Sequence, residues 1–335
     1  MLDKGIKTKT YIMGAILFLF LAWEIFVPQS LRSVPESVVT ITKGMGYKDI
    51  SLELKEQGIF KNTLAFNVYV VVSGNYGRLQ SGSYNLSPSM SLFAIVEKFS
   101  SGDVVKEKVT IPEGWDINQI AQYFEQRNIA LAKEFLDVAN KDWSGEFDFL
   151  KDKPKNLSLE GYIFPDTYYL SMNTTTEEFL KIALDNFSNK VGSDLLVEIK
   201  AQRRSLFEIV TMASMIEKEV ILPADKKIVS GILWKRIQGG MPLQVDATVN
   251  YATGKKDSRV SLGDTKVDSP YNTYKYYGLP KGPISNPSIE SIWAAIYPTK
   301  TDYWYYLSAR DTGKTIFSKT LDEHNIAIAK YLRKD

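Results

Sequence analysis

Two stretches of this chain repeat one another, and that echo constrains the fold more than any single segment does. Val38 to Thr42 alternates apolar and polar residues as a strand does, and Gly44 and Gly46 then turn the chain into a helical pattern carrying Ile50, Leu52 and Leu54. About seventy residues later, Val109-Thr110-Ile111-Pro112-Glu113-Gly114-Trp115-Asp116-Ile117 repeats strand, glycine turn and aromatic ahead of Ile120, Ala121 and Phe124 at helical spacing. A second echo follows each copy. Tyr84-Asn85-Leu86-Ser87 leads to Ser91 and Ile95 as Tyr168-Tyr169-Leu170-Ser171 leads to Thr175 and Phe179. The pattern predicts an internal duplication of a strand-plus-helix module, with Ser91 and Thr175 capping their helices. Trp115, Tyr84, Tyr168 and Tyr169 either pack within these modules or stack on sugar rings.

Ahead of the first copy, Tyr11 to Val27 is almost wholly apolar, with Glu24 its only charge, and Lys4, Lys7 and Lys9 precede it. This reads as a transmembrane helix over 11–27 with a cytoplasmic tail over 1–10 and everything downstream outside. A cleaved signal peptide is the alternative, although Ala22-Trp23-Glu24 offers no small-x-small cleavage site. Residues 28–37, polar with two prolines, form a short stiff linker.

The chemistry open to the chain is narrow. Its 41 Lys+Arg against 39 Asp+Glu argue against phosphate-driven nucleic-acid binding. With no cysteine and one histidine, His324, zinc-thiolate sites, Fe–S clusters, thiol nucleophiles and disulfides are excluded and a multi-histidine metal site is not expected. We expect no cofactor and no metal, and acid/base work done by carboxylates. His324 itself is either a structural group or a catalyst at the start of the last helix.

Leu206 to Val220 forms a strongly apolar helix on which Leu206, Val210, Ala213 and Glu217 share one face. A carboxyl continuing an apolar stripe keeps its proton unless it is paired, as a general acid must. Glu217 is therefore the first candidate. Glu219 projects about 200° away, toward Met215, Met212 and Glu208, and is the lesser one. The alternative for Glu217 is an ion pair with Lys218, Lys226 or Arg236. A second helix opens at Asp225, shows a stripe of Ile228, Ile232, Leu233 and Ile237, and ends at Gly239-Gly240. Leu243 to Tyr251, read as extended, brings Gln244, Asp246, Thr248 and Asn250 to one side, either as a row suited to hydroxyl and acetamido groups or as a solvent-facing edge strand. Ser269 to Tyr274 and Gly278 to Pro287 read as ordered loops lining a site, and Tyr303–Leu307 with Lys314–Ser318 as a late hairpin.

Leu159-Glu160-Gly161-Tyr162-Ile163-Phe164-Pro165-Asp166-Thr167-Tyr168, Ala213-Ser214-Met215-Ile216-Glu217-Lys218-Glu219, the 243–251 segment, Ser269 to Tyr274 and Gly278 to Pro287, in that order, resemble the endolytic murein transglycosylase family, also called YceG-like. The resemblance implies a membrane-anchored lytic transglycosylase of the bacterial inner membrane that cuts nascent peptidoglycan within the strand, near the synthases that make it. It implies that the first glutamate of the E-K-E motif, Glu217, is catalytic, and that residues 38–103 are a LysM-like membrane-proximal module. Residues 104–335 would be the catalytic domain, its second repeat over 104–200 and its core over 201–335. The expected fold is α+β, with an N-terminal transmembrane helix, the small module, and a cleft between two lobes. Glu160, Gln244, Asp246, Thr248, Tyr251, Tyr271, Asn272, Thr273 and Asn286 are expected to contact the glycan. Two rivals stay open: a hydrolase with Asp246 as base roughly 6.5–9.5 Å from Glu217, and a non-catalytic wall-binding scaffold.

Overall fold

The computed structural model of the chain describes residues 2–255, 260–309 and 312–332. The protein is α+β and divides into two compact units, Met1–Val109 with Tyr169–Thr174, and Thr110–Tyr168 with Thr175–Asp335.

The first unit holds α1 (Leu2–Phe26), β1 (Ser37–Ile41), α2 (Tyr47–Glu56), α3 (Thr63–Val72), β2 (Gly82–Leu86) and α4 (Leu92–Ser101). β1 and β2 are antiparallel from Ser37↔Leu86 to Ile41↔Gly82. Alternation along β1 sends Val39 and Ile41 inward, where they meet Ile50, Leu54, Phe66, Tyr84, Ile95 and Phe99 in one buried cluster. The Tyr84 ring meets Phe99 edge-on at 4.6 Å.

The apolar N-terminal run does form a helix, but the expected membrane-spanning anchor is corrected. Among the described residues no helix is long and apolar enough to cross a membrane. From Tyr11 to the helix end at Phe26 is about 16 residues, roughly 24 Å against a hydrocarbon core of ~30 Å, and Glu24 falls inside that stretch. The far end of α1 also packs on its own unit: Leu21 lies against the buried cluster and the Phe26 ring is 5.8 Å from Phe93. The single-pass inner-membrane placement falls with the span.

β3 (Lys106–Thr110) pairs with β4 (Thr167–Ser171). Between them come α5 (Ile117–Gln126) and α6 (Ala132–Ala139), so the strand–helix–helix–strand order of the first unit recurs. The echo extends to single atoms. Tyr84 and Tyr168 each donate a hydroxyl hydrogen bond to the carbonyl four residues back, Gln80 and Phe164, at 2.7 and 2.5 Å. Ser91 caps α4 and Thr175 caps α7 (Thr176–Ala201), each accepting from the backbone N–H three residues on. Tyr84 and Tyr168 are buried, so packing is their role, whereas Tyr169 is exposed.

α8 (Leu206–Glu219), α9 (Pro223–Gln238), α10 (Asp246–Thr253) and α11 (Ile289–Ile296) build the rest of the second unit, with β5 (Tyr305–Ser308), β6 (Thr315–Ser318) and α12 (Leu321–Tyr331). α9 starts at Pro223, not Asp225, because proline at the first helical position forgoes an N–H that has no partner there. β5 and β6 form the expected late hairpin, Tyr305↔Ser318 to Ser308↔Thr315. The segment 243–251 is not a strand. Only its first three residues are non-helical; α10 takes the rest and closes on Gly254 in the left-handed region at φ 69°.

Candidate active site

α8 begins with a reciprocal cap between Ser205 and Glu208 and is buried on every side from Ile209 to Ile216, packed against α9 and α11. Apart from Glu208 in the cap, its charged residues therefore gather in the last turn. Glu217, Lys218 and Glu219 leave that turn in different directions and meet different chemistry.

Glu217 turns inward. Its Oε2 accepts from the Ser288 N–H at 2.9 Å, the Ser288 Oγ at 2.5 Å and the Ser291 Oγ at 2.6 Å, and Lys226 Nζ lies 3.1 Å from both carboxyl oxygens. The two charged side chains are 8% and 5% exposed. Burial pushes the Glu217 pKa up, but the hydrogen bonds from Ser288 and Ser291 and the Lys226 charge outweigh it and hold the carboxyl below its ordinary value. The ion pair with Lys226 is what the residue makes. These surroundings favour the ionised form, and the catalytic role expected for Glu217 is put to the test by the Glu217→Gln comparison below.

Glu219 turns the other way, into a cleft of about 1620 Å³ formed entirely by the second unit. Burial and the nearby Asp246 charge raise its pKa to about 7, against the opposing pull of hydrogen bonds from the Tyr306 hydroxyl and the Ala247 N–H and of the Arg236 charge. Arg236 is itself buried, spending its guanidinium on the carbonyls of Trp304 (2.9 Å) and Leu243 (2.7 Å). Asp246 opens α10 on the same cleft. Burial raises its pKa too, offset by the Tyr274 hydroxyl, which donates to Oδ1 at 2.5 Å. The arrangement is two carboxyls in one cleft, one of them half protonated near neutral pH, ringed by Tyr274, Tyr305 and Tyr306.

Of the residues expected to contact glycan, Gln244, Asp246 and Tyr251 line this cleft, as does Asn250. The others lie beneath it. Thr248 and Thr273 are buried and share a 2.9 Å hydrogen bond, and the Thr273 hydroxyl also accepts from the Val245 N–H. Asn272 donates to the carbonyls of Thr265 and Val267 and accepts from the Tyr274 N–H, shaping its own loop. Tyr271 packs behind Tyr251 with ring centres 4.9 Å apart. Thr248, Asn272 and Thr273 spend these polar groups on the protein's own hydrogen bonds, and none of the four lines the cleft.

Glu160 and Asn286 are likewise buried, and together they brace the cleft wall. Glu160 Oε2 accepts from the Ile117 N–H at 3.0 Å and the Tyr251 hydroxyl at 3.2 Å; Asn286 donates to Glu160 Oε1 at 3.2 Å and to the Trp115 carbonyl at 3.0 Å. Burial raises the Glu160 pKa to about 8, against the opposing pull of the Ile117 N–H and the Tyr251 hydroxyl. Only glycine allows the turn beside it. Gly161 sits at φ 88°, and a Cβ there would come within 2.7 Å of Pro283 and Val210. His324 stacks on Tyr305 at 5.2 Å and lines the cleft, and burial lowers its pKa. The sequence reading took Arg236 only as an ion-pair partner for Glu217, and Tyr305 and Tyr306 only as part of a hairpin; the fold brings all three to the Glu219 cleft from α9 and β5. Among the described residues no cluster of His, Asp and Glu could hold a metal ion.

The YceG-like family profile matches residues 39–330. The chain belongs to the YceG-like family. A relative in Bacillus subtilis (strain 168), named endolytic murein transglycosylase, is 37% identical over 313 residues, covering 88% of this chain and 84% of that protein. One in Streptococcus pneumoniae serotype 2 (strain D39 / NCTC 7466), with the same name, is 31% identical over 333 residues, and this YceG-like chain spans 60% of its length. A crystal structure of a YceG-like protein from Listeria monocytogenes matches with a TM-score of 0.59 at 34% identity, covering 88% of this chain and all of that one.

Proposed function

We propose that this chain is an endolytic murein transglycosylase, cutting within peptidoglycan glycan strands, and that Glu219 is its general acid. Family membership and the names of its relatives support the activity. The observation that carries the assignment of the acid is the Glu219 carboxyl, raised to about pKa 7 inside a cleft large enough for a polymer.

A lytic transglycosylase needs one carboxyl in two roles. Protonated Glu219 donates to the glycosidic oxygen between N-acetylmuramic acid and N-acetylglucosamine as that C–O bond breaks. The resulting carboxylate, held by Tyr306 and the Ala247 N–H, then takes the proton from the muramoyl C6 hydroxyl as its oxygen closes on C1. The product ends in a 1,6-anhydro ring and no water is consumed. Gln244, Asn250 and Tyr251 offer the hydrogen-bonding groups to hold the sugar beside the acid.

Asp246 supports a second reading. A second carboxylate close enough to raise the Glu219 pKa could activate a water, which would make the enzyme a hydrolase. Mass spectrometry of the strand ends left after digestion decides between them. We expect anhydro ends that vanish in Glu219→Gln and persist in Glu217→Gln. Reducing ends, one water heavier, would replace the transglycosylase by the hydrolase, and full activity in Glu219→Gln would remove the acid.

A further inference from the structure

One wall of the cleft is polar without belonging to the acid's surroundings. Asn118, Gln122 and Gln126 stand at i, i+4 and i+8 on α5, exposed, and line the same cleft as Glu219. Among the described residues none of the three side chains makes a hydrogen bond to the protein. Their neighbour Gln119 differs, since its Oε1 accepts from the Asp116 N–H and closes the helix cap. Trp115 and Tyr123 flank the row, rings edge-on at 5.4 Å, each partly exposed.

The row begins close to the acid. Lys218, which precedes Glu219, donates to the Gly114 carbonyl at 3.2 Å, tying the end of α8 to the entry of α5. From there the amides advance about 6 Å per step along the helix axis, comparable with one pyranose unit of an extended chain.

Charge decides what such a wall can hold. The described cations lining the cleft are all engaged: Lys218 with the Gly114 carbonyl, Arg236 with two carbonyls, and Lys255 with Asp264 at 2.5 Å. Anionic peptide stems would find no free positive partner among them. A neutral N-acetylated saccharide would find amides for its hydroxyl and acetamido groups and aromatic faces for its rings.

Resting on the transglycosylase reading, we propose that the Asn118–Gln122–Gln126 face of α5, with Trp115 and Tyr123, is an extended subsite for the bare glycan backbone on one side of the scissile bond. Several sugars held beyond the cut favour internal bonds over the last bond of a strand.

The test compares the parent with the triple variant Asn118→Ala, Gln122→Ala, Gln126→Ala on glycan strands freed of their peptides by an amidase. Alanine at exposed helix positions preserves the helix. We expect KM for long strands to rise about tenfold or more with kcat nearly unchanged, and the difference to shrink on short oligosaccharides. In parallel, binding of the same peptide-free strands to Glu219→Gln protein, with and without the triple change, should weaken by a similar factor. Unchanged KM and binding, or a loss confined to peptide-bearing strands, would overturn the subsite. An inactive parent would count against the function instead, and the binding comparison would still decide the subsite.

Discussion

Glu217 and Glu219 stand two residues apart in one helical turn, and the fold treats them in opposite ways. Glu217 is given three hydroxyl or amide donors and a lysine; Glu219 is given burial, a second carboxylate, and fewer donors than it needs. Low exposure alone therefore does not make an acid. What separates the two is how completely the surroundings serve the ionised form.

The largest effect that would sharpen this contrast is on turnover. Glu219→Gln is expected to cut kcat by about 10²- to 10⁴-fold, the range of general-acid contributions, with folding unaffected by circular dichroism. Should turnover survive, the contrast collapses. Glu217→Gln is expected to act on stability, by about 3–5 kcal/mol in urea unfolding, because Lys226 is left charged and buried without its partner. Activity per folded molecule should stay within a few-fold of the parent. A hundredfold loss of turnover with unchanged stability would exchange the roles of the two residues.

Smaller effects follow from titration. The Glu219 acid limb should make kcat/KM fall as pH rises through about 7, and Tyr306→Phe, by removing a bond to the carboxylate, should move that limb to higher pH by up to about one unit. A limb that stays in place would show that Tyr306 does not hold the acid. Glu160 gives a counterpart in stability. The folded protein keeps the Glu160 proton up to about pH 8, whereas an unfolded chain releases it near 4.5, so the native state binds more protons across that window and stability falls as pH rises through it. Glu160→Gln should flatten the dependence between those values. An unaltered slope would mean that Glu160 is not the group responsible.

Much of this was legible in the residues. The duplicated modules, their Ser91 and Thr175 caps, the late hairpin and α8 all follow from local periodicity and turn chemistry. Two readings failed because local cues were weighed wrongly, and one choice was left open by causes distant in sequence. The stripe through Leu206, Val210 and Ala213 does not separate the two carboxyls, since α8 is buried all round and the hydroxyl donors to Glu217 come from Ser288, the cap of α11, and Ser291 within it. Alternation over 243–251 also fits a short helix with Thr248 and Val249 inward, and Gly254 was the overlooked stop signal. The apolar N-terminal run was counted as a span although its helix ends at Phe26 and its last turns have apolar neighbours within the first unit.

Glu219 is the last residue of α8, and the peptide dipoles of that helix point their negative end at its carboxyl. Glu217 lies in the same turn but also faces the positive end of α11, where Ser288 caps the helix and offers its N–H. The direction of two backbones thus favours the ionised form of Glu217 and the protonated form of Glu219. Part of the proton affinity of Glu219 is thereby written into the main chain, beside what burial and Asp246 contribute.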